Sequence, residues 1–129
     1  MYTITKNCRG FITLVSCKDQ QTMEDFEHFT KEIGEFASNN KLYLLTDFRQ
    51  AKISFNQDEV YKMGEIERNF GPRDLSVVEA VVCQSPLEKA LSLFYNTVKK
   101  GSDYTLKFFS SEDDALKWLR SYHEYVPKF

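Results

Sequence analysis

Hydrophobic spacing in this chain switches repeatedly between a period of two and a period of about 3.6, so the fold must interleave strands with helices. Tyr2, Ile4 and Lys6 alternate with Thr3 and Thr5, and Arg9-Gly10 supplies a turn. Phe11 to Ser16 is a second β-rich run, and Val15-Ser16-Cys17 closes it. Residues 1–17 therefore read as a hairpin. From Met23 the spacing becomes helical, with Met23, Phe26, Phe29, Ile33 and Phe36 on one face. Leu42 to Leu45 is a buried strand by composition, followed by a polar loop from Asp47 to Ser54. Val60, Met63, Ile66 and Phe70 form a second helical stripe, stopped by Gly71-Pro72. Leu75 to Cys83 is a valine-rich strand, and Leu87, Leu91, Phe94 and Val98 form a third stripe that Gly101 closes. Tyr104 to Phe109 is the last strand; Ala115, Leu116, Leu119 and Tyr122 make the last stripe. The order is ββαβαβαβα, which predicts a five-stranded mixed sheet with four helices in one α/β domain spanning 1–129, with residues 123–129 as a tail.

Each stripe is preceded by a cap residue with an acid three positions on: Thr22 and Asp25, Asn56 and Glu59, Ser85 and Glu88, Ser111 and Asp114. Helix first turns carry unpaired N–H groups and partial positive charge, and a side-chain oxygen with a carboxylate answers both. The acidic run Glu112-Asp113-Asp114 is thus read as capping and solvation rather than as a metal site, and no metal ligand set or cofactor is expected.

Composition narrows the function classes. The net charge is −2, and the only adjacent basic pair is Lys99-Lys100, so the charge pattern lacks the clustered lysines and arginines of a nucleic-acid binder. No apolar run could span a bilayer, and MYTITKNCRGFITL has no signal-peptide core. Three widely spaced cysteines without a CxxC motif read as reduced thiols of a cytoplasmic protein.

Three segments resemble the SpoIIAA-like family, the fold shared by STAS domains and CRAL-TRIO lipid-transfer proteins. They are LYLLTDFRQAKIS (Leu42 to Ser54), VVEAVVC followed by SPLEKALSLFYNTVK, and YTLKFFSSEDDALKWL. The resemblance implies a SpoIIAA-like sandwich over nearly the whole chain, to about Tyr122. STAS antagonists of anti-sigma factors carry a phosphorylated Asp-Ser-Ser-Gly-like turn. The matching Ile53-Ser54-Phe55-Asn56 departs from it, with one serine, no glycine and no Asp-Ser pair.

In open α/β sheets, ligands bind beyond the carboxyl ends of the strands. That edge is expected to gather Asp47, Arg49, Phe55 and Ser85, which defines a groove for a small apolar or anionic ligand. Phe48 and Phe55 are placed on either side of the loop there. Glu79 sits among valines and is read as lying near its strand's start, where water reaches it. Cys83 is the best nucleophile in the chain, but neither His28, read as exposed mid-helix, nor His123 in the tail is placed beside it. No catalytic constellation emerges. The aromatics Tyr61, Phe70 and Tyr95, with Tyr122, Tyr125 and Phe129, exceed what a small core readily absorbs and mark an interaction surface. The expectation is a non-enzymatic STAS-like module acting by association with a protein partner or as a homodimer. The alternative is the small-ligand groove.

Overall fold

The computed structural model describes residues 2–8, 11–35, 41–52, 58–59, 61–62, 65, 76–84 and 104–124. Strands β1 (Tyr2–Cys8), β2 (Ile12–Gln20), β3 (Lys41–Lys52), β4 (Ser76–Val82) and β5 (Tyr104–Phe109) form one sheet in sequence order. The pairing of β1 with β2 is antiparallel, and every later pairing is parallel, so the sheet is mixed as expected. Helix α1 (Met23–Glu35) joins β2 to β3, and α2 (Glu112–Glu124) follows β5.

Two helices have their ranges described, against the expected four. Asp58, Glu59, Tyr61, Lys62 and Glu65 are helical. The rest of the second stripe, the whole of the third, the Arg9-Gly10 turn and most of the tail lie outside the described residues.

Strand alternation sends β3 and β4 side chains to two cores. On one face Leu42, Leu44, Val77 and Val81 pack with Phe26, Phe29 and Ile33 of α1. On the other, Leu45, Val78, Ala80 and Val82 pack with Ala115, Leu116 and Leu119 of α2. β4 is therefore apolar on both sides, which is why it reads as a near-continuous valine run. β1 is tied to α1 by the Tyr2 hydroxyl, which donates to Glu32 Oε1 at 2.6 Å, and by an edge-on contact of Tyr2 with Phe29 at 5.5 Å.

Both described helix starts carry the anticipated caps. Thr22 N donates to Asp25 Oδ2 at 3.1 Å and Asp25 N donates to Thr22 Oγ1 at 3.0 Å, a reciprocal capping box. Burial works to raise the Asp25 carboxyl, but the hydrogen bonds from Thr22, together with the positive charge of the N-terminal amine, hold the group below the ordinary carboxylate range. At α2, Asp114 N donates to Ser111 Oγ at 3.3 Å.

Two strands run further than the spacing suggested. β2 continues past Cys17 to Gln20, and Asp19 adopts a left-handed φ of 59°, a conformation aspartate tolerates better than most residues. β3 continues through the segment expected to be a polar loop, as far as Lys52. Its pairing with β2 slips on the way: Ser16 faces Asp47, but Lys18 faces Gln50. Two steps on β2 match three on β3, so β3 carries a bulge at Phe48-Arg49. The extra residue reverses the side-chain parity. Phe48 before it and Ala51 after it both pack toward α1.

Candidate functional site

The bulge builds the charged cluster at the C-terminal end of the parallel strands. A bulged residue leaves the ladder, so its N–H needs another acceptor. Asp47 provides it: Arg49 N and Nε both donate to Asp47 Oδ1 at 3.0 Å, and Arg49 Nη2 donates to Oδ2 at 2.8 Å. The same Nη2 lies 3.5 Å from Glu112 Oε2 in the first turn of α2. Burial works to raise the Asp47 carboxyl, but the hydrogen bonds and charge of Arg49 prevail and hold it below the usual range. Hydrogen bonding to Asp47 raises Arg49 in turn, so both stay ionised. Asp47 and Arg49 do come together at the expected edge, but on a strand rather than in a loop. An arriving anion would have to compete with two carboxylates for Arg49. The cluster ties the end of β3 to the start of α2.

A second polar group lies inside the α1 face. Glu79 is 2% exposed, on the central part of β4 between Leu44 of β3 and Leu106 of β5. The expectation that water reaches it is therefore corrected. Thr46 Oγ1 donates to Glu79 Oε2 at 2.7 Å across the β3–β4 pair. Cys17 and Cys83 are buried in the same core. Burial pushes the Cys17 thiol up to about 12, and nearby carboxylates add to the shift. At neutral pH it is a packed, protonated thiol without nucleophilic character. His28 is exposed on α1, as anticipated, with Nε2 4.0 Å from Glu24.

The third grouping is aromatic. Phe109 of β5 lies 5.6 Å from Trp118 of α2, and Trp118 meets Tyr122 edge-on at 5.0 Å. The Lys107 ammonium sits 5.5 Å from the Phe109 ring centre. Trp118 is only partly buried, and Tyr122 is 40% exposed. The rings form a flank of α2 turned toward β5, an outer strand of the sheet. Across the same face Phe11 meets Tyr43 edge-on at 5.3 Å, with Lys41 at 5.3 Å from the Tyr43 ring. The i, i+4 spacing of Trp118 and Tyr122 carries the signal for this flank, which Tyr122's place at the end of an apolar stripe obscures.

Among the other expected site residues, Tyr61 is 54% exposed. Phe48 is buried core rather than a loop flank. Phe55, Ser85, Phe70 and Tyr95 lie outside the described residues. No group of three or more potential metal-ligating side chains gathers among the described residues, and no described helix is long and apolar enough to cross a membrane.

A mixed sheet in sequence order, with one described helix on each face, defines an α/β chain, and its fold is SpoIIAA-like. It is similar to the crystal structure of an uncharacterized protein of the DUF3478 family, with a SpoIIAA-like fold, from Shewanella loihica PV-4. The TM-score is 0.62 at 19% identity, over 92% of each chain, a likeness of fold. The chain itself belongs to the family described as a domain of unknown function, DUF7793, which matches residues 7–123. No curated protein matches it.

Proposed function

We propose that this chain is a non-enzymatic association module whose contact surface is the aromatic flank of α2. One observation carries the reading: Trp118 and Tyr122 stack edge-on at 5.0 Å with Tyr122 40% exposed, beside Phe109 on an outer strand. Partly covered aromatic rings present a large, rigid contact area at low entropic cost, and tryptophan and tyrosine dominate the energetics of protein interfaces. Tyr61 extends the exposed aromatic surface elsewhere on the chain. The competing reading, a small apolar or anionic ligand near Asp47, Arg49, Phe55 and Ser85, has less support because Arg49 is already engaged by Asp47 and Glu112.

The test is a photo-crosslinking amino acid placed at position 122 in the full chain, with adducts identified by mass spectrometry. A reproducible protein adduct that disappears on Trp118→Ala, with the helical circular-dichroism signal intact, is the expected result. Position 122 giving no adducts beyond those of a control probe at Thr3 overturns the proposal.

A further inference from the structure

The outer surface of α2 carries a charge pattern that the fold does not use. Asp113, Asp114, Lys117 and Arg120 are all exposed. None of the four has an ion-pair partner among the described residues, although Glu112 next to them is held by Arg49. The two acids come first and the two bases follow, so this exposed strip runs from acidic to basic before the helix ends at Glu124.

At 100° per residue the surface divides into two flanks. Asp113 and Arg120 are seven residues, about two turns, apart on one side. Trp118 and Tyr122, one turn apart, lie on the side that faces β5. Ala115, Leu116 and Leu119 point down into the core. Lys117 and Ser121 lie between the flanks, outermost.

We infer that the partner of this surface is a second copy of the chain, with the two α2 helices packed antiparallel about a two-fold axis near Lys117. The inference rests on the association reading above and names its partner. Such an axis keeps each flank beside its own equivalent while reversing the helix direction. Asp113 of each copy then meets Arg120 of the other, giving two symmetric ion pairs on one side of the axis. On the other side Trp118, one residue from the axis, meets its own equivalent and covers its exposed ring surface, while Tyr122, five residues from the axis, faces the first turn of the other helix. The axis brings the two Lys117 ammonium groups near one another, and Asp114 of the second copy, within about one turn of each, offsets their repulsion. A parallel two-fold pair sets acidic turns level with acidic turns and forms neither Asp113–Arg120 pair, so the charge order favours the antiparallel one. Antiparallel packing also opposes the two helix dipoles favourably. One 13-residue helix presents a strip only about 20 Å long, so the buried area falls below the ~1,000 Å² typical of stable complexes. The dimer is therefore weak and reversible, and salt weakens it further.

Sedimentation velocity of the full chain from about 5 to 500 µM, at low and high ionic strength, reads the equilibrium directly. Expected are a concentration-dependent dimer at low salt and roughly tenfold or greater weakening by either Asp113→Lys or Arg120→Glu alone. Each of these variants sets like charges opposite one another in its own dimer. Mixing the two restores association, because each cross-pair is again of opposite sign. Circular dichroism confirms that both variants keep the fold. A chain that stays monomeric across the whole range overturns the inference, as does a dimer indifferent to both variants or a mixture that fails to recover. A monomeric chain that still gives position-122 adducts with a different protein removes the self-partner while leaving the association reading in place.

Discussion

Replacing Asp47 by alanine should destabilise the protein more than replacing its ion-pair partner. The asymmetry follows from the bulge. Asp47 accepts three hydrogen bonds from Arg49, one of them from the backbone N–H that the register slip removes from the ladder. Asp47→Ala leaves that exposed N–H without its protein acceptor, a loss of ~0.5–1.5 kcal/mol. The Arg49 guanidinium is 40% exposed, so solvent screening limits the ion pair itself to at most ~1 kcal/mol. The total is ~2 kcal/mol for Asp47→Ala, against ~0.5–1 kcal/mol for Arg49→Ala, which keeps the backbone bond. With an unfolding entropy of ~2.1 cal/mol/K per residue over 129 residues, each kcal/mol lowers Tm by about 4 °C. Thermal unfolding followed by far-UV circular dichroism should therefore show drops of roughly 7 °C and 2–4 °C. Asp47→Asn, which still offers an oxygen to the N–H, should fall between them. The folded carboxyl lies below its unfolded value, so its stabilisation is complete above about pH 4 and fades as pH falls through the lower folded value. The Asp47→Ala penalty should be equal at pH 7 and pH 5 and shrink in stronger acid. If Arg49→Ala costs as much as Asp47→Ala, the pair is a surface ion pair and the role assigned to the bulge is wrong.

Three further outcomes are expected. Leu119→Ala, at a fully buried position under α2, should cost ~3–4 kcal/mol, read as a lower urea midpoint with an unchanged slope. Thr46→Val preserves shape but removes the hydroxyl donor to Glu79, and should cost ~1–3 kcal/mol; a neutral result means that the Thr46 bond contributes little to the buried carboxylate. With its pKa pushed up to about 12 by burial, Cys17 should react with a thiol reagent at pH 8 far more slowly in the native protein than in urea, and peptide mapping of the labelled cysteine checks this.

The sequence discloses the elements whose pattern reflects a purely local cause. The capping pair Thr22 and Asp25 is visible because a helix start needs its oxygens at a fixed spacing, and both bonds are present. The stripe Phe26, Phe29 and Ile33 is visible because one face must be dry. The β3 extension is hidden because Asp47, Arg49 and Gln50 give the strand's end the composition of a loop, and the bulge breaks the period-two pattern that would have revealed it. Glu79 misleads for a tertiary reason: its partner Thr46 is 33 residues away in sequence and becomes a neighbour only when β3 and β4 pair. The Asp47 and Arg49 grouping was legible as a pair of residues, but its link to Glu112 depends on where α2 docks.

The strands lie side by side in the order in which they occur along the chain. Among the described strands, none has to be slotted between two that have already paired. Each new one can add to the open border left by its predecessor, starting from the hairpin of β1 and β2. The price of closing long loops is then met one crossover at a time, which favours assembly by stepwise growth over a search among alternative strand neighbours.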